Sequence, residues 1–325
     1  MTSGRTDVVY VGSWGRSGST LLDLILGQAT GFCSVGALRY LWDRCLGERQ
    51  LCGCGVPVPD CPFWGAVLEE TFGGERGVDV PGMRALWRRV DGLARLPLLL
   101  TAARPAALEN DLRAFREVLG RLYRAVGVVA GASVVVDSSK YAAYGLILAG
   151  VEGLDLRVLH LVRDSRAVAY SWMRRKPMPE VASETRFMPL KRPWRSALFW
   201  DLENLGLRLL CRRARGYQVL RYDDLAAHPR ASLSAAMESL GLEADLGFLR
   251  DGHVHLGPNH TVAGNPLRFR RGEVPIRPDV EWRVHLGPAS RWIVTGLTWP
   301  LLVRYGFPLA SREDRAEVPE HGPGE

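Results

Sequence analysis

The chain has 325 residues, of which 47% are hydrophobic and 9% aromatic, and a formal net charge of +7. This fits a globular protein with a substantial core, in one large domain or two small ones. The positive balance suits a small anionic ligand; it is too diffuse for nucleic acid, because no basic stripe interleaved with aromatics is present.

The first predicted element is the apolar run Val8 to Val11, a buried strand with β-branched residues. It leads into a turn with Gly12, Gly15 and Gly18, the hydroxyls of Ser17, Ser19 and Thr20, and one cation, Arg16. Leu21 to Leu26 then supply the buried face of a helix. Free N–H groups and the positive dipole end of such a helix face the turn, so the turn is built for an anion. The triphosphate-binding pattern G-x-x-x-x-G-K-[ST] does not fit. Aligned on Gly18-Ser19-Thr20, it puts Ser13 at its first glycine and Ser19 at its lysine.

A second strand is predicted near Phe32 to Val35, then a long, mostly helical insertion over 39–130 with Trp42, Trp64 and Trp87 as core anchors. The insertion contains "CGCGVPVPDC", which packs Cys52, Cys54 and Cys61 into ten residues. Reduced packing residues, a disulfide and a metal site remain open readings. The C-x-C spacing is a weak zinc signal, and no metal site is assigned.

Beyond the insertion, "ASVVVDSSK" predicts a strand ending in a polar turn, and "YAAYGLILAG" a helix. "LRVLHLVRDSRAVAYSWMRRK" predicts strand, turn and helix, "YQVLRYDDL" a strand, and Pro229 to Leu240 a helix. His160 lies inside an apolar strand and reads as a core histidine. Strands alternating with helices give an α/β fold with a central, mainly parallel sheet flanked by helices. Ligands in such folds bind at the carboxyl ends of the strands. Three strand ends here carry hydroxyls and cations: Gly12 to Thr20, Asp137 to Lys140, and Arg163 to Arg166.

"WIVTGLTWPLLV" is an apolar stretch of 12 residues, too short to cross a bilayer. It predicts a buried helix broken near Pro300, while leaving room for a peripheral membrane contact. Residues 1–20 hold a glycine loop rather than an apolar targeting core, so a cytoplasmic protein is expected. Residues 312–325 read as a frayed tail. Only Lys140, Lys176 and Lys191 among the 42 cations are lysines, a skew that fits a GC-rich bacterial gene.

"GSWGRSGSTLL" together with "LVRDSRAVAYSW" resembles the sulfotransferases that use 3′-phosphoadenosine 5′-phosphosulfate (PAPS), in the branch found in actinobacteria. "CGCG", "CPFW", "VDSSK", "RYDDL" and "NHTVAGNPLRFRRG" extend the resemblance over nearly the whole chain, from about residue 8 to 305. It implies a P-loop-like sulfotransferase fold, with one domain over 1–311 in which 39–130 covers the acceptor side. It implies transfer of a sulfuryl group from PAPS to a hydroxyl of a small molecule, glycan or natural product, with release of 3′,5′-ADP and without a metal.

By the same resemblance, Trp14, Gly15, Arg16, Ser17, Gly18, Ser19 and Thr20 hold the 5′-phosphosulfate. Arg163 and Ser171 hold the 3′-phosphate. Lys140 assists the leaving group, as Arg16 does by meeting the charge on the departing oxygen. Arg268, Arg270 and Arg271 belong to a loop that closes over the nucleotide.

The sequence departs from the pattern at one place. Relatives carry glutamate in "SVGEL", whereas this chain reads "SVGAL", with Ala37 in place of the expected general base. An inactivating substitution, use of another base, and a catalytically impaired relative are the three readings. His260, in "NHTVAGN", is the candidate substitute base. A nucleotide-binding relative without catalysis, and a nucleotide-dependent small-molecule kinase, are the alternative functions.

Overall fold

A computed structural model describes residues 5–74, 77–178, 186–250 and 252–309. Five strands form the central sheet: β1 (Thr6–Gly12), β2 (Phe32–Gly36), β3 (Val134–Lys140), β4 (Leu154–Val162) and β5 (Gly216–Arg221). Every pairing is parallel, and the order across the sheet is β2-β3-β1-β4-β5. The sheet is thus parallel throughout. Two short antiparallel pairs lie outside it, one joining His253–Leu256 to Gly272–Pro275.

The apolar alternation explains the layers. In β1, Val8 and Tyr10 join one core cluster and Val9 and Val11 the other. A two-residue period with both sets buried means that helices cover both faces. The first face carries Pro62–Phe72, Ala106–Ala130 and Ala142–Leu148. The opposite face carries Ser19–Leu26 and Pro229–Ser239.

The insertion holds the three tryptophans as expected: Trp42 and Trp64 are fully buried and Trp87 nearly so. Most of it forms one layer against the sheet. Its stretch nearest the strand ends is a π-helical turn, Leu41–Gly47, a local geometry often found at functional sites.

The C-terminal apolar stretch corrects an expectation. It lies in one helix, Pro288–Arg304, that runs through Pro300, and Trp292, Ile293, Trp299 and Val303 on it are exposed. Pro300 removes a single backbone donor, which neighbouring turns tolerate. Among the described residues, no helix is long and apolar enough to cross a membrane. The expected tail, 312–325, lies outside the described residues.

β1 sits between β3 and β4, so the chain leaves its carboxyl end toward β2 and later crosses over to β4. This is the switch point of the sheet, where a crevice opens beyond the strand ends.

Candidate functional site

A cleft of about 420 Å³ opens at that point. The turn after β1 contributes Gly15, Arg16, Gly18, Ser19 and Thr20 to its wall. Lys140 and Tyr141 come from the end of β3, Arg163 from the end of β4, and Ser171 and Trp172 from the helix Ser165–Met173. These elements bring together residues up to about 150 positions apart in sequence, as their strand ends predict.

The turn is shaped by close packing. Arg16 takes a left-handed backbone with φ 74°, and Gly18 has φ 94°. A Cβ on Gly18 would stand 2.6 Å from the Tyr222 ring, and one on Gly15 2.7 Å from Trp172, so only glycine fits at either place. Lys140, also on the cleft wall, has φ 81°. Left-handed backbone at non-glycine residues stores strain and gathers at ligand sites.

Trp14 lies beneath the turn, stacked on Phe199 with centroids 5.5 Å apart, and does not line the cleft. The reason is its burial in an aromatic cluster with Trp172 and Tyr141. Its indole supports the turn from below.

The electrostatics are unbalanced. All three guanidinium nitrogens of Arg16 are buried and have no hydrogen-bond partner among the described residues. The group stacks over Trp172 at 4.9 Å. Burial, and then the charge of Arg163, pull its pKa down to about 10, so it remains cationic at neutral pH. Ser17 Oγ beside it is buried and equally unpartnered. Lys176, another wall residue, has its pKa lowered by burial and then by Arg16. Buried cations that repel one another are costly unless an anion joins them.

Arg163 is anchored. Its Nη1 donates to the Arg16 carbonyl at 2.6 Å, its guanidinium lies 4.9 Å over Tyr222, and it pairs with Asp279. Burial lowers its pKa. Neither carboxylate near it in sequence pairs with it: Asp164 pairs with Arg166, and Asp155, at the far end of β4, with Arg5 and Arg215. Lys140 Nζ donates to the Ser138 carbonyl at 2.9 Å.

The segment after the fifth strand supplies Gly264, Asn265, Leu267 and Arg270 to the wall. Of the three arginines expected here, only Arg270 lines the cleft. Arg268 is fully buried and donates to the Leu51 carbonyl at 3.0 Å. Arg271 donates to the carbonyls of Arg268, Arg270 and Gly53. Their alternation with Phe269 reads as a basic loop in the sequence; the structure turns two of the three inward to bind backbone.

Ala37 is fully buried at the end of β2, with its N–H on the Val262 carbonyl at 2.8 Å, and does not line the cleft. His260 also stands away from it. Its Nδ1 lies 3.2 Å from Cys61 Sγ and 3.8 Å from Cys52 Sγ, and its ring stacks on Phe63. This placement removes His260 as the substitute base, because the ring faces sulfur rather than the cleft. His160 is the buried core residue expected, with both ring nitrogens bonded, to Tyr217 and Asn204.

Several wall residues were not singled out from the sequence: Tyr40, Arg44, Tyr141, Trp172, Lys176 and Tyr222. Trp172 and Tyr222 fall inside quoted motifs, "VAYSW" and "RYDDL", and adjacency to the motif was the available signal. Tyr40 and Arg44 carry no such signal; they sit at and in the π-helical turn, with the Arg44 guanidinium 4.1 Å over the Tyr40 ring.

No protein-family model matches the sequence, and no match was found among the curated proteins. Among solved structures, the sulfotransferase domain from the curacin biosynthetic pathway is similar, with a TM-score of 0.50 and 18% identity. The match covers 94% of this chain and 99% of that one. The chain therefore shares the α/β fold of a sulfotransferase domain, with its central parallel sheet flanked by helices.

Proposed function

We propose that the protein is a PAPS-dependent O-sulfotransferase of the actinobacterial branch, acting in the cytoplasm as a single domain over 1–311. The observation that carries this reading is the Arg16 guanidinium, buried and without a hydrogen-bond partner, facing the same cleft as Arg163 and Ser171. A ligand with anionic groups at two separated points satisfies both.

When bound, the donor supplies the sulfuryl group and departs as 3′,5′-ADP. The backbone N–H groups at the start of Ser19–Leu26, with Ser17, Ser19 and Thr20, hold the 5′ end. Arg16 meets the negative charge that grows on the leaving 5′-phosphate oxygen as the S–O bond breaks, and Lys140 stands at the same end of the cleft. Arg163 and Ser171 hold the 3′-phosphate. They are eight positions apart and lie on one wall. The acceptor oxygen bonds to sulfur and its proton passes to a base or to water. Tyr40, Arg44, Tyr141, Met178 and Met188 form the wall left for a small-molecule, glycan or natural-product hydroxyl. Transfer needs no metal at this cleft, because Arg16 and the loop N–H groups meet the charge.

Ala37 favours a second reading, a relative that binds the nucleotide without catalysis. The kinase alternative is disfavoured by Ser19 at the position of the loop lysine.

Calorimetry tests the proposal. The protein should bind 3′,5′-ADP without Mg²⁺ and far more tightly than ATP. Tight Mg²⁺-dependent ATP binding with no 3′,5′-ADP binding would overturn it in favour of the kinase. Binding without sulfuryl transfer over a broad acceptor panel would favour the non-catalytic reading.

A further inference from the structure

Away from the cleft, Cys52, Cys54, Cys61 and His260 converge. Their sulfurs and a ring nitrogen all lie within 4.8 Å of one another. Cys54 Sγ and Cys61 Sγ are 3.7 Å apart, and His260 Nδ1 lies 3.2 and 3.8 Å from the sulfurs of Cys61 and Cys52. Thiolates at about 2.3 Å from a tetrahedral centre are about 3.7–3.8 Å apart, and a thiolate and an imidazole nitrogen about 3.5 Å. These three separations are close to what such a centre requires, and the whole cluster is compact enough for one ion. A disulfide needs its sulfurs at about 2.0 Å, and no disulfide joins Cys52, Cys54 and Cys61.

The surroundings are built to hold the cluster. Cys52 N–H bonds to the Val56 carbonyl at 2.7 Å and Gly55 N–H to the Cys52 carbonyl at 2.9 Å, which folds the first two cysteines into a tight turn. Gly53 between them packs so closely on Asn259 and Thr261 that a Cβ would collide with the Asn259 side chain. The short C-x-C spacing therefore works because its middle residue is glycine. Cys61 caps the helix Pro62–Phe72. Trp64 Nε1 donates to the His260 carbonyl at 2.7 Å and Phe63 stacks on the ring at 5.0 Å, so the imidazole is fixed in orientation.

We propose that Cys52, Cys54, Cys61 and His260 bind a structural zinc ion. Three thiolates and an imidazole in tetrahedral array are a zinc donor set, and four protein ligands leave no position open for catalysis. The ion staples the turn 52–61 to the strap 259–271, across 199 positions between Cys61 and His260. That strap pairs with β2 through Val262 and lines the cleft through Gly264, Asn265 and Arg270. The metal thus holds one wall of the cleft without touching its contents.

The test is metal analysis of the full chain expressed with added zinc and purified without chelators. About one zinc per chain is expected. Cobalt in its place should give the intense visible bands and thiolate-to-metal charge transfer of a tetrahedral sulfur site. Cys54→Ser removes the exposed ligand and should weaken zinc retention against a chromophoric chelator by at least about tenfold. Cys211→Ser, at an exposed cysteine outside the cluster, should leave it unchanged. Metal-free protein with six titratable thiols would overturn the proposal in favour of plain packing. Metal-free protein with four would overturn it in favour of a Cys54–Cys61 disulfide. Both readouts use the unaltered chain, so they stand even if a variant fails to fold.

Discussion

Arg163 braces Arg16: its Nη1 donates to the Arg16 carbonyl at 2.6 Å, across 147 positions of sequence. The bond holds the residue whose backbone is left-handed and whose side chain meets the cleft without a partner. The resemblance to PAPS-dependent sulfotransferases assigns the two arginines to separate sites, for the 5′ end and the 3′-phosphate. The structure couples them, so their variants should not be fully independent.

Arg163→Ala should therefore do two things. It removes the proposed 3′-phosphate contact and the bond to the Arg16 turn. Loss of a charged hydrogen-bond partner costs about 1.5–3 kcal/mol, so 3′,5′-ADP affinity should fall on the order of 10- to 100-fold. Turnover with saturating donor should also fall. Calorimetry and steady-state assays read the two effects separately; a variant with normal affinity would remove Arg163 from the site.

Arg16→Ala should act more on turnover than on binding, because in the proposed mechanism Arg16 meets charge that develops during transfer. Loss of a comparable stabilising donor costs roughly 10²–10³ in kcat. Lysine in its place should recover little, since the planar guanidinium lies over Trp172 at 4.9 Å. If kcat stays the same while only the donor KM rises, Arg16 is a binding residue alone.

The strand–turn–helix corners were legible because their signals are local. Glycine placement, apolar runs and polar strand ends put Gly15, Arg16, Gly18, Ser19, Thr20, Lys140 and Arg163 at one edge, where they line the cleft. Arg268 and His260 were not legible, because an arginine beside an aromatic, or a histidine in a polar loop, has no period that tells which way it points. Arg268 turns inward to the Leu51 carbonyl and His260 to Cys61, and both partners come from an insertion about 200 positions earlier. Likewise the cysteines read weakly because C-x-C is too short a spacing on its own. The fourth group of the proposed site is the distant histidine, which no spacing links to them.

Asp23 offers a pH test of the floor under the turn. It is fully buried on the first helix, accepting from Ser34 Oγ at 2.5 Å. Burial pushes its pKa up to about 8; the Ser34 hydroxyl opposes this, Asp137 adds to it, and Lys140 and the Gly36 N–H oppose it. The unfolded value is about 3.9. Between these two values the folded state binds the extra proton, so stability falls as pH rises from about 4 to 8. The slope is at most about 1.4 kcal/mol per pH unit. Asp23→Asn should make that decline shallower; the remainder comes from Asp137, Asp201 and Glu203, whose pKa values burial raises to about 6, about 7 and about 7. Urea unfolding at pH 5 and pH 8 measures it. An unchanged slope would mean that Asp23 is charged in the fold.

Ala37→Glu asks whether the missing carboxylate is what limits transfer. Position 37 follows β2, and two residues on, the Arg39 N–H bonds to Ser139 Oγ at 2.9 Å, which sets this stretch beside the end of β3 and Lys140. Alanine accepts no proton; a glutamate whose side chain reaches the cleft takes the acceptor's proton as its oxygen bonds to sulfur. The gain from a placed general base is typically about 10²- to 10⁴-fold. It should appear in kcat and leave 3′,5′-ADP affinity unchanged, because the base touches the acceptor. It should fade at low pH as the new carboxyl protonates. Ala37 is fully buried, so the substitution also has a folding cost, and thermal unfolding must be measured beside activity. Turnover that stays flat in a folded variant, with the Ala37 protein already fast, would show that another group accepts the proton.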